Sequence, residues 1–168
     1  MSSNKPLVGI IMGSASDLPV MQAAADILKK FGVPCELDVI SAHRTPERAI
    51  EYSQNAVKNG LKVIIAGAGG AAHLAGVIAA CTPLPVIGVP IKASISLDGW
   101  DSLLSMVQMP SGIPVATVAV DGAQNAGILA AQMIATGDAA LLDKIVAFKE
   151  DLKAKVIAGS AEVRKKNN

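Results

Sequence analysis

The stretch VIIAGAGGAAHLAGVIAACTPLPVIGVPI, residues 63–91, contains no Asp, Glu, Lys or Arg. A charge-free run of this length is what a membrane-spanning helix gives in a hydropathy profile. Its punctuation argues otherwise. Gly67, Gly69, Gly70, Gly76 and Gly88 interrupt it, as do Pro83, Pro85 and Pro90, and that density of breakers does not fit one continuous helix. The stretch reads as two buried strands, KVIIAG (62–67) and PVIGVP (85–90), joined by a short helix around 73–81. Strands that are apolar on both faces belong to a parallel sheet covered by helices on each side.

The same alternation continues in both directions. LVGIIM (7–12) is a short run rich in branched residues. LPVMQAAADILKKFG (18–32) has helical spacing at Val20, Met21, Ala24, Ile27 and Leu28, with Gly32 as its stop. CELDVI (35–40) alternates as a strand, and PERAIEYSQNAVKNG (46–60) reads as a helix ending at Asn59-Gly60. Downstream, DSLLSMVQM (101–109) is helical between loops, and VATVAV (115–120) is a fifth strand. GAQNAGILAAQMIATG (122–137) is a helix built on Ala and Gly. From Asp138 a long amphipathic helix runs to about residue 168, with Leu141, Leu142, Ile145, Leu152 and Val156 on one side. There is no repeat or linker, so residues 1–168 are expected to form one domain.

Five strands separated by helices imply a three-layer α/β fold with a mostly parallel sheet. Right-handed crossovers leave few topologies, of which the flavodoxin-like order 2-1-3-4-5 is the first choice. Its switch point lies between strands one and three, at their carboxyl ends. The three polar loops of the first half, GSASD (13–17), SAHRT (41–45) and GAGGAAH (67–73), all follow strands and would meet there.

Composition narrows the class. Apolar residues make up 51% of the 168 and charged ones 17%, against a usual charged share of about 25%. A domain of this size has limited interior, so part of its surface is expected to be buried against copies of itself; the alternative is a monomer with a close-packed, alanine-rich core. Net charge is +1, and without a basic stripe or aromatic platform nucleic-acid binding is not expected. Cys35 and Cys81 have no metal spacing and read as reduced, buried residues of a cytosolic protein. The start, MSSNKP, is not expected to be a signal peptide.

The loops carry chemistry. Gly13 allows a tight turn, Ser14 and Ser16 offer hydroxyls, and the next helix offers free N–H groups, which together suit a phosphate. Asp17 would repel phosphate but could accept from ribose hydroxyls; capping by Ser16 or Asp17 is the purely structural reading. In SAHRTP, Thr45 and Pro46 already supply an N-cap and a first helical position. His43 and Arg44 are therefore spare: Arg44 suits a planar anion, and His43 can move a proton near neutral pH. The glycines at 67, 69 and 70 let backbone N–H groups approach a flat, anionic ligand. His73, at the next helix's start, either holds the loop or takes part in catalysis. Two histidines without a carboxylate or thiolate cluster argue against a metal centre. No Walker loop or Gly-x-Ser-x-Gly elbow occurs. What remains is proton transfer with electrostatic help, or binding alone.

MGSASD (12–17), SAHRTP (41–46), AGAGGAAHL (66–74), LPVIGVP (84–90) and DSLLSMVQMPSGIPVATVAV (101–120) resemble the N5-carboxyaminoimidazole ribonucleotide mutase family of purine biosynthesis, from about Val8 to Met133. SAHRTP resembles that branch more than its sister, which carboxylates aminoimidazole ribonucleotide with free carbon dioxide. The resemblance implies a flavodoxin-like fold assembled as a homo-octamer, no metal or organic cofactor, and a substrate bearing ribose 5-phosphate, an imidazole and a labile carbamate. Ser14, Ser16, Asp17 and Arg44 match the family's phosphate and ribose contacts. Ser41 and Ala68, Gly69, Gly70 and Ala71 match positions near the base and its carboxylate. His43 matches the general acid and base, and His73 and Leu74 match the opposite wall. Three positions depart from the pattern: Ala15 for a frequent Lys, Ala75 for the usual Pro, and Asp121 for the usual Gly. The small residues of GAQNAGILAAQMIA (122–135) are expected in the assembly core, with packing inside the chain as the alternative.

Overall fold

The computed structural model describes residues 5–167. The first four residues of MSSNKP, and Asn168, to which the terminal helix was expected to run, lie outside them. The 63–91 stretch is a strand, a helix and a strand: β3 (Val63–Gly69), α3 (Leu74–Cys81) and β4 (Val86–Ile91). Among the described residues no helix is long and apolar enough to cross a membrane. The other elements are β1 (Val8–Met12), α1 (Leu18–Phe31), β2 (Cys35–Val39), α2 (Pro46–Asn59), α4 (Trp100–Val107), β5 (Ala116–Thr117), α5 (Ala123–Ala135) and α6 (Ala139–Lys166). The strands form one parallel sheet in the order β2-β1-β3-β4-β5, as expected.

Neighbouring residues of the central strands feed opposite cores. Ile10, Ile65 and Ile87 pack under α1, α5 and the start of α6. Ile11, Ile64 and Val86 pack under α2, α3 and Met106 of α4. Because a strand turns successive side chains to opposite faces, an unbroken apolar run such as VGIIM serves both layers. Gly32 and Gly60 end α1 and α2 with φ of 77° and 97°, the left-handed conformation that glycine adopts without a steric cost.

Four expectations change. The fifth strand shrinks to two paired residues, Ala116 and Thr117, at the half-exposed sheet edge, where one flank has no partner strand. The small residues of α5 pack inside the chain: Ala123, Ala126, Gly127, Ala130 and Ala131 are buried. A methyl group on Gly127 would stand 2.8 Å from the Ala24 carbonyl oxygen of α1, so these residues let α1 and α5 approach closely. Cys35 and Cys81 are free but only partly buried, since one lies on edge strand β2 and the other ends α3. Along α6, Asp138 caps the helix through Leu141 N–H, and Leu141 and Ile145 are buried, but Leu142, Leu152 and Val156 are exposed. The helix outruns the domain that could cover its apolar side.

Candidate active site

Register brings the three polar loops together. Met12 pairs with Val39 on one side and Gly67 on the other, so β1 and β2 end level with the middle of β3. Past that level, Ile40 N–H donates to Met12 O at 2.8 Å and Gly13 N–H donates to Gly67 O at 3.0 Å. The loops leaving the strands open on a crevice of about 420 Å3, within the range of small-molecule sites. Ser14, Ser16, Asp17, Ser41, His43, Arg44, Ala68, Gly69, Ala71, His73 and Leu74 line it. Gly70 does not; it is buried behind the lining, and its φ of 63° makes the turn that aims the loop.

The first loop is ordered by its own hydroxyls. Ser14 Oγ accepts from Ser16 N–H at 3.3 Å and Ser16 Oγ at 2.9 Å, so Ser14, not Ser16 or Asp17, is the cap of the short helical turn before α1. Asp17 occupies the N-cap position of α1 without a side-chain capping bond. It is buried, and burial pushes its carboxyl above the usual range; Ser16 Oγ, Ser14 and the Arg44 guanidinium oppose that rise in part.

The second loop is closed differently from the sequence expectation. Thr45 Oγ1 does not cap α2 but donates to Ser41 O at 3.0 Å and accepts from Ser41 N–H at 3.2 Å. Ser41 Oγ in turn accepts from Arg44 N–H and Arg44 Nε. Arg44 Nη2 crosses to donate to Gly13 O at 2.7 Å, which sets the guanidinium beside the serine loop. This closure leaves His43 projecting from the loop, and His43 Nε2 meets His73 Nδ1 at 2.9 Å, the rings edge-to-face. Such a contact requires one nitrogen to carry a proton and the other to accept it. The fold thus joins two histidines that lie thirty positions apart in the chain.

Four lining residues were not singled out in the sequence: Ala42, inside the second loop, and Ala93, Ser94 and Ile95, just after β4. The signal for the last three was only positional, since they follow the next strand of the same sheet. Ala75 is the second residue of α3 and fully buried, a place compatible with proline. Ala15 sits in the helical turn between Ser14 and Ser16. Among the described residues, no group of three or more His, Cys, Asp or Glu gathers as a metal-ligand set would.

The N5-carboxyaminoimidazole ribonucleotide mutase of Pyrococcus horikoshii is 62% identical over 156 residues, covering 93% of this chain and 88% of that protein. The mutase of the same name from Synechocystis sp. is 56% identical over 165 residues, covering 98% and 93%. The crystal structure of Treponema denticola PurE superposes with a TM-score of 0.82 at 29% identity, covering 94% of this chain and 98% of that one. The family described as AIR carboxylase matches residues 7–155, nearly the whole α/β unit with its three loops, and the chain belongs to that family.

Proposed function

We propose that this chain is an isomerase that moves the carboxylate of N5-carboxyaminoimidazole ribonucleotide from the exocyclic nitrogen to the neighbouring ring carbon, in purine biosynthesis. One observation carries the reading: Ser14, Ser41, His43, Arg44 and the 68–74 loop converge on a single crevice, with His43 and His73 in contact. The relatives named as mutases, alike over almost all of the chain, support it.

In this reading Arg44 and Ser14 hold the phosphate, Ser16 and Asp17 the ribose, and Ser41 with Ala68, Gly69 and Ala71 the base and its carboxylate, while Gly70 shapes the turn between them. Protonated His43 gives its proton to the exocyclic nitrogen as the nitrogen–carboxylate bond breaks and carbon dioxide forms. The ring carbon then attacks the trapped carbon dioxide, and neutral His43 removes the proton from that carbon. One imidazole serves both steps because they need opposite protonation states, and the enzyme ends as it began. His73 and Leu74 form the facing wall, and the site must exclude water to keep the carbon dioxide from escaping. The proton count closes on protein groups alone, and the reading includes no metal or organic cofactor. The chain works as one cytoplasmic domain in a homo-octamer, with α6 reaching a neighbour.

A second reading, carboxylation of aminoimidazole ribonucleotide by free carbon dioxide, is favoured by the description of the family itself. Supplying each ribonucleotide separately, with and without bicarbonate, separates the two. The mutase turns over the carbamate without bicarbonate. Turnover of aminoimidazole ribonucleotide that rises with bicarbonate, with none of the carbamate, would reverse the assignment.

A further inference from the structure

We infer that Asp121 is a positioning residue that anchors the strap over residues 92–99 and so sets one wall of the crevice. The inference rests on the crevice being the substrate site, as proposed above. Asp121 has a φ of 56°, a left-handed conformation more readily reached by glycine. A side chain retained at such a position invites the question of what it touches. Its Oδ1 accepts from Lys92 N–H at 3.0 Å, and its own N–H donates to Pro90 O at 2.8 Å. These two bonds flank Ile91, the last residue of β4.

The short fifth strand explains the need. β5 pairs with β4 only at Ile87–Ala116 and Gly88–Thr117, with one further bond from Val118 N–H to Gly88 O. Beyond that, β4 has no strand on this side, and Asp121 supplies the missing partner: its backbone satisfies Pro90 and its carboxylate satisfies Lys92. The next three residues, Ala93, Ser94 and Ile95, line the crevice. Ala93 lies close against Gly69, where an added methyl group would stand 2.6 Å from the Ala93 side chain. The rest of the strap is tied to itself and to α4, by Lys92–Asp98 at 2.7 Å, Ser96 N–H to Ala93 O at 2.9 Å, and Ser96 Oγ to Asp101. Ile95 and Leu97 are 81% and 74% exposed, so they hold the strap down little. Losing the Asp121 carboxylate therefore frees the wall at its root.

The test compares Asp121→Gly with Asp121→Asn. Glycine suits the backbone angle, so the fold is kept while the acceptor is lost; asparagine tolerates the angle and keeps an acceptor oxygen. Exchange of the Lys92 amide, followed by mass spectrometry on overlapping peptides that begin before Gly88 and end by residue 97, should speed up by about 10-fold in Asp121→Gly, the scale of one lost hydrogen bond to a charged group. KM for the carbamate ribonucleotide should rise by about 5-fold with kcat within about 2-fold, the signature of lost binding geometry rather than lost chemistry. Asp121→Asn should restore both. Unchanged Lys92 exchange in Asp121→Gly, faster exchange with unchanged KM, or no rescue by Asn would each overturn the anchor. If the wild-type chain fails to turn over the ribonucleotide, the functional reading fails, and the exchange comparison still decides whether Asp121 holds the strap.

Discussion

Replacing His43 by Asn removes the only group assigned to proton transfer while keeping a polar side chain on the loop. The loop itself should persist, because it is closed by Thr45 Oγ1, Ser41 and Arg44 and not by the imidazole. Each step that His43 assists stands to lose the usual 100- to 10,000-fold of general acid–base catalysis. The steps are sequential, so the slower one sets the observed loss and the two factors do not multiply. Turnover should fall by about 1,000-fold, or about 4 kcal/mol at roughly 1.4 kcal/mol per decade. Binding should hardly move. Arg44 is fixed by Gly13 O and Ser41 Oγ, and Ser14 by Ser16, none of which contacts His43. The Kd of the product ribonucleotide, measured calorimetrically, should stay within about 3-fold, as expected for uncoupled sites. Single-turnover conversion of carboxyl-labelled substrate reads the rate. A variant that turns over within tenfold of wild type, or that loses affinity in step with rate, would refute the reasoning. The second outcome would describe a domain that binds nucleotides without transforming them.

Two further outcomes test other parts of the molecule. Burial raises the Asp17 carboxyl in the folded chain. The fold therefore favours the protonated form, and the cost of holding the charge is present above the folded value and absent below the unfolded value near 3.8. Asp17→Asn should raise the thermal midpoint at pH 7, with the gain fading as pH falls through that window, while KM for the ribonucleotide rises; a gain that persists at low pH would exclude the linkage. Truncation after Lys149 removes Leu152, Val156, Ile157 and Val163, all exposed in the single chain. It should leave far-UV dichroism per residue of the α/β unit intact yet, if the proposed octamer is built through α6, give a smaller particle by light scattering; an unchanged mass would show that α6 does not join subunits.

Much of the fold was legible because its signals are local. Gly32 and Gly60 stop helices where the periodicity ends, and the breakers of residues 63–91 divide an apolar run into strand, helix and strand. The loops of the crevice were legible for the same reason: each follows a strand, and a parallel sheet sends all such loops to one edge. The misreadings have a common source. A strand over 115–120 satisfies the local pattern, but its pairing with β4 goes only as far as Gly88, although β4 runs on to Ile91, and the backbone takes a left-handed turn at Asp121. Small residues mark close approach without naming the partner, and the partner of Gly127 turned out to be Ala24 of the same chain.

The amino-acid sequence by itself determined the alternation of elements, the strand order it favours, and the three loops rich in Ser, His, Arg and Gly, since turn propensity and hydrophobic period act over a few residues. Only the tertiary structure decided that Thr45 turns back to Ser41, that His43 meets His73, and that Asp121 holds Lys92. The last two join residues about thirty positions apart, and their separation in space is set by the register of paired strands; even the short Thr45–Ser41 link depends on which of two local partners the folded loop presents.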